Sequence, residues 1–140
     1  MSLVIAFDFG TKKIGVAVGQ NITKTARILP SIPAIQGFPN WEFIQKILIQ
    51  WKPKCIVIGL PLDNQGEIQK ITKKTQMFSI IMKKKFHIPI YLHDERFTTT
   101  SIKCNLFQEG GFKKLKKNNV DSLCAVLILE SWFYQTNLYI

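Results

Sequence analysis

Residues 55–59, CIVIG, constrain the fold of this chain more than any other stretch. An unbroken apolar run this short, following Pro53 and ending at a loop over 60–66, reads as a strand covered on both faces. Such a strand needs a layer above and a layer below it. The flanking sequence offers helices for both. Upstream, Asn40 is placed to cap a helix over 41–51, with Phe43, Ile44, Ile47, Leu48 and Trp51 at helical spacing. Downstream, Ile68, Ile71, Thr75, Phe78, Ile81 and Met82 line one face of a helix predicted over 67–85, with lysines opposite.

The remaining runs build a sheet around that strand. Residues 3–9 (LVIAFDF) and 14–19 (IGVAVG) are β-rich and flank Gly10-Thr11-Lys12-Lys13, the pattern of a hairpin. A third strand over 25–32 belongs at an edge, because Pro30 has no N–H for a ladder and Pro33 follows it. Residues 34–39, with Gly37 and Pro39, read as a loop, and 88–93 (IPIYLH) as a fifth strand. Thr98 or Thr99 can cap a helix to Glu109, stopped by Gly110-Gly111. A basic loop over 113–119 precedes a last helix from near Asp121 to Gln135, whose apolar face is wide enough to require burial. Three antiparallel strands followed by helical crossovers predict an α/β fold with a five-stranded mixed sheet in the order 3-2-1-4-5, flanked by helices. That is the RNase H-like arrangement, expected as one domain over 1–140.

Charge supplies the first indication of a partner. Among 140 residues, nineteen Lys and Arg face nine Asp and Glu, a formal net charge of +10. Such an excess suits a polyanion, since binding phosphates releases condensed counterions. All but Arg27 and Arg96 are lysines, and A/T-rich codon usage is a second source of lysine in a chain also rich in Ile, Asn and Phe. Hydrophobic residues at 46% and charged residues at 20% exclude a disordered chain. No run is long enough to cross a membrane, and Asp8 with no basic segment before it argues against a secretory signal. Three cysteines without a C-x-x-C spacing fit a reducing cytoplasm and no zinc site.

With so few acids, their places matter. Asp8 interrupts an apolar first strand, where a charge is costly unless it is paired, binds a metal or caps the Gly10-Thr11 turn. Asp94 and Glu95 follow the last strand, and adjacent residues of an extended chain point to opposite faces, so at most one of them aims at Asp8. Asp121 heads the last helix, where capping competes with any chemical role. Parallel first, fourth and fifth strands bring Asp8 and Glu95 to one sheet edge, and the last helix can bring Asp121 there. Three carboxylates there could hold two divalent ions about 4 Å apart, a clamp for in-line displacement at phosphorus. Their hard oxygens suit Mg²⁺ or Mn²⁺. Thr11, Lys12, Lys13 and Arg96 stand beside these acids, and Lys113, Lys114, Lys116 and Lys117 form a basic arm suited to a nucleic-acid backbone. His93 offers either a proton shuttle or a structural hydrogen bond.

Four segments also resemble the signature blocks of the YqgF family: DFGTKKIGVAVG at 8–19, IVIGLPL at 56–62, HDERFTT at 93–99 and VDSLCAVLILESW at 120–132. These small bacterial RNase H-fold domains are described as Holliday-junction resolvases and as pre-16S rRNA-processing nucleases. The resemblance covers nearly the whole chain and implies metal-dependent cleavage by Asp8, Glu95 and Asp121. One departure stands out: other resolvases carry their second carboxylate at the end of the fourth strand, where this chain has Gly59-Leu60-Pro61. The expected activity is phosphodiester hydrolysis at the 5′ end of pre-16S rRNA by a cytoplasmic monomer or weak homodimer. Alternatives are junction-DNA resolution and a non-catalytic nucleic-acid-binding module. An actin-like ATPase, which shares D-x-G-T, would need two such domains.

Overall fold

Alternation along the first strand sets the layering. The computed structural model describes residues 2–62, 65–94 and 117–136, with the backbone alone for 117–121 and 136. Its elements run β1 (Leu3–Asp8), β2 (Lys13–Gln20), β3 (Thr25–Ile35), β4 (Phe38–Pro39), α1 (Trp41–Trp51), β5 (Cys55–Leu60), α2 (Lys70–Phe86), β6 (Ile90–Asp94) and α3 (Lys117–Thr136). Ile5 and Phe7 of β1 pack with Ile56 and Ile58 of β5 against Ile44, Leu48, Phe78 and Met82 of α1 and α2. Val4 and Ala6 face the other way, with Cys55 and Val57, onto Ala125, Ile128, Leu129 and Phe133 of α3. Both faces of the central strands are therefore dry, as the unbroken run at 55–59 requires. Trp132 is buried in the α3 layer, and Trp41 stacks on Phe78 with ring centroids 5.5 Å apart.

The sheet order is β4-β3-β2-β1-β5-β6. β1 pairs antiparallel with β2 and parallel with β5, and β5 pairs parallel with β6. The five expected strands keep their order, and a sixth is added. Residues 34–39 form no open loop. β3 extends to Ile35, turns through Gln36 and Gly37, both at positive φ (50° and 85°), and pairs back with β4. Two successive positive φ angles give the turn a twist that matches a hairpin, and a non-glycine at the first of them hides the signal in the sequence.

Three other boundaries move. α2 begins at Lys70, because the Gln69 N–H donates to Thr72 Oγ1 at 3.0 Å while the same hydroxyl donates to the Pro61 carbonyl. β6 covers Ile90–Asp94, starting after Pro89. α3 starts at Lys117, so residues 117–119 are helical rather than loop and Asp121 lies inside the helix, which removes the capping role expected of it. By contrast, α1 occupies the expected span, with Asn40 Oδ1 accepting from the Glu42 N–H at 3.2 Å. The helix expected between Thr98 and Glu109 lies outside the described residues. Among those described, no helix is long and apolar enough to cross a membrane.

Candidate active site

β1, β5 and β6 run parallel, so their carboxyl ends share one edge of the sheet. Asp8 ends β1 there, half-buried and paired across the ladder with Gly15 of β2. Alternation after Val4 and Ala6 sets Asp8 on the α3 face. One step beyond the Phe7–Ile58 pair, Asp8 is level with Gly59, which is itself partnered by His93. Beside Asp8 on the neighbouring strand there is thus a glycine, with no side chain to offer.

The turn after Asp8 is tightly held. A Cβ on Gly10 would sit 2.4 Å from the Lys13 carbonyl oxygen, so only glycine fits without moving backbone. The β3–β4 hairpin braces the same turn from the side: Ala34 N–H donates to the Lys12 carbonyl at 2.9 Å and Gly37 N–H to the Thr11 carbonyl at 3.0 Å. Thr11, exposed Lys12 and Lys13 are thereby fixed next to Asp8 at the rim. The unexpected sixth strand is part of what shapes this edge.

α3 reaches the same edge from the opposite layer. Between Ile14↔Ile32 and Val16↔Leu29 the β2–β3 register shifts, so Pro30 and Ser31 oppose Gly15 alone. The fully buried Ser122 hydroxyl sits beside this bulge, accepting from the Val16 N–H at 3.3 Å and donating to the Leu29 carbonyl at 2.5 Å. This fixes the α3 backbone at the residue after Asp121 to the strand that pairs with Asp8. Ser122 was not among the residues singled out from sequence. Its signal was a hydroxyl on the buried stripe of Ala125, Val126 and Leu129, where a polar group needs a partner.

His93 makes a hydrogen bond to the last helix. It is buried, with Nε2 3.0 Å from Ser131 Oγ of α3, and burial lowers its pKa below 6.5 while the charge of Asp94 opposes the shift. Ile90 joins the core shared with α1 and α2, whereas Tyr91 packs at a tilt against Trp132 and His93 bonds Ser131. The alternation of β6 consequently puts Asp94 on the face away from Asp8. Of the two arginines, Arg27 lies over the Trp51 ring at 4.9 Å, toward the far end of β3. Glu95, Arg96, Lys113, Lys114 and Lys116 lie outside the described residues, and Lys117 and Asp121 are described as helical backbone only. Among the described residues, no three Asp, Glu, His or Cys side chains converge as a metal site. Asp8 brings to this edge a hard carboxylate oxygen, of the kind that suits Mg²⁺ or Mn²⁺.

Residues 2–135 match the RuvX family, described as Holliday junction resolvase. The chain belongs to that family. A relative from Buchnera aphidicola subsp. Schizaphis graminum (strain Sg), named "Putative pre-16S rRNA nuclease", is 53% identical over 98% of this chain and 99% of its own length. One of the same name from Actinobacillus pleuropneumoniae serotype 5b (strain L20) is 50% identical over 93% of this chain and 95% of its own. Among solved structures, Thermus thermophilus RuvC in complex with Holliday junction substrate matches with a TM-score of 0.56 at 14% identity, covering 96% of this chain and 94% of that one. Fowlpox virus resolvase in complex with Holliday junction DNA matches with a TM-score of 0.58 at 12% identity, covering 98% and 99%. At such identities the likeness shows the fold, an α/β RNase H-like sheet with flanking helices.

Proposed function

We propose that this chain is a nuclease that hydrolyses phosphodiester bonds at the 5′ end of pre-16S rRNA, acting with Mg²⁺ or Mn²⁺ as one domain over 1–140. The observation that carries the reading is Asp8: a half-buried carboxylate ending the central strand at the rim where three parallel strands finish. The names of relatives at about half identity support the substrate. Asp8, Glu95 and Asp121 are the proposed metal ligands. A divalent ion bound by such carboxylates lowers the pKa of water and offsets charge at phosphorus. The protein's own part is to hold the RNA strand in line: Thr11, Lys12 and Lys13 on the braced turn contact the backbone, and Arg96 forks onto a phosphate oxygen. Lys113, Lys114, Lys116 and Lys117 extend that grip electrostatically without reading sequence. An rRNA substrate carries with it the cytoplasmic location expected from the cysteine pattern.

Junction DNA is the second reading, favoured by the description of the family and by structural neighbours solved with Holliday junctions. End-labelled pre-16S rRNA and four-way junction DNA, incubated with the protein and with Asp8→Asn in Mg²⁺, Mn²⁺ or EDTA, separate the readings. Metal-dependent cuts in the rRNA that vanish in Asp8→Asn are expected. Preferential cutting of the junction at limiting enzyme would favour resolution instead. Binding without cleavage, alike for both proteins, would overturn the nuclease.

A further inference from the structure

We infer that Ser122 is a positioning residue for the cleavage site, its hydroxyl pinning the Asp121 segment of α3 to the strand edge that carries Asp8. The inference rests on the nuclease reading for what the two acids do, and on the hydrogen bonds for how they are held. Beside the bulge one fully buried hydroxyl of α3 accepts from the Val16 N–H and donates to the Leu29 carbonyl. Each of these partners is backbone, so the contact survives side-chain change in β2 or β3 and depends on the hydroxyl alone. Val16 follows Gly15, the ladder partner of Asp8, and Ser122 follows Asp121. The bond therefore ties the residue after Asp121 to the residue after the ladder partner of Asp8. A helix packed only by apolar contacts can slide or roll by fractions of an ångström, whereas a two-way hydrogen bond at its site end fixes both translation and rotation.

The test compares wild-type protein with Ser122→Ala, with Ser122→Cys and with Leu48→Ala. Cysteine keeps the side-chain shape with a weaker donor and guards against an unfolded alanine variant. Leu48→Ala is a destabilised control in α1, on the other face of the sheet. Four readouts are taken: melting temperature, Val16 amide exchange, Mn²⁺ affinity and steady-state cleavage of pre-16S rRNA. For Ser122→Ala the expectation is faster Val16 exchange, with Mn²⁺ affinity and kcat each reduced about tenfold or more at unchanged KM, as for lost supports of metal ligands. Ser122→Cys should fall between, and Leu48→Ala should melt early yet keep Mn²⁺ affinity and kcat. Wild-type Mn²⁺ affinity and kcat in Ser122→Ala would overturn the inference, and so would equal losses in Leu48→Ala. If the wild-type protein cuts no substrate, the nuclease reading fails; Mn²⁺ affinity and Val16 exchange then decide the pinning by themselves.

Discussion

Replacing Gly10 with alanine puts the geometry of the Asp8 turn to a direct test. The new Cβ would lie 2.4 Å from the Lys13 carbonyl oxygen, where ordinary contact begins near 3.4 Å, so the turn must open by about 1 Å. The same turn accepts hydrogen bonds from Ala34 and Gly37 at 2.9 and 3.0 Å, and an opening of that size takes both beyond bonding range. Two net hydrogen bonds at about 1 kcal/mol each give a loss of about 2 kcal/mol. For a domain of this size that lowers the melting temperature by roughly 8 °C. Asp8 is two residues away, and a misplacement of about 1 Å at a reacting group costs on the order of a hundredfold in rate. Calorimetric melting and cleavage of labelled pre-16S rRNA read the two effects separately. Gly37→Ala is the comparison: its φ of +85° makes a side chain strained, but no atom lies within 4 Å of the added Cβ. It should lose about 1 kcal/mol from backbone strain, with a far smaller fall in cleavage. A Gly10→Ala protein that melts and cuts like wild type would refute the close-approach argument, as would a Gly37→Ala protein that loses cleavage equally.

Two further predictions concern the α3 layer. Burial lowers the His93 pKa below its ordinary 6.5, so between that value and the lowered one the unfolded chain binds more protons than the folded one. Stability therefore falls as the pH drops through that interval, and His93→Gln should flatten the pH dependence of the melting temperature below the ordinary imidazole value of 6.5; an unchanged slope would count against a buried neutral imidazole. Burial also pushes the Cys55 thiol up to about 11, and Cys124 is buried beside α3's core. In a Cys104→Ser background, iodoacetamide should label neither cysteine until denaturant is added, and mass spectrometry of the native protein checks this.

The order of elements was legible in the chain because it depends on local pattern. The unbroken apolar run at 55–59 could only be a doubly covered strand, and Asn40 with the periodic Ile44, Ile47 and Leu48 marked α1 to the residue. Asp8 declared itself by standing as a charge within an apolar strand. Alternation also needed little more than the facing of β6 to separate Asp94 from Asp8. Other features depend on atoms distant in sequence. β4 exists because Gln36 accepts a positive φ, and a glutamine carries no sign of that. The start of α3 precedes Asp121 by a full turn, so an acid that looked like a cap is held in the helix interior. Ser122 bonds Val16 and Leu29, which lie 106 and 93 residues away. Hydrophobic periodicity states which face of an element is buried, but not which backbone groups of the neighbouring strands a buried hydroxyl will bond. That pairing is decided only when the layers meet, and it is there that the edge carrying Asp8 takes its shape.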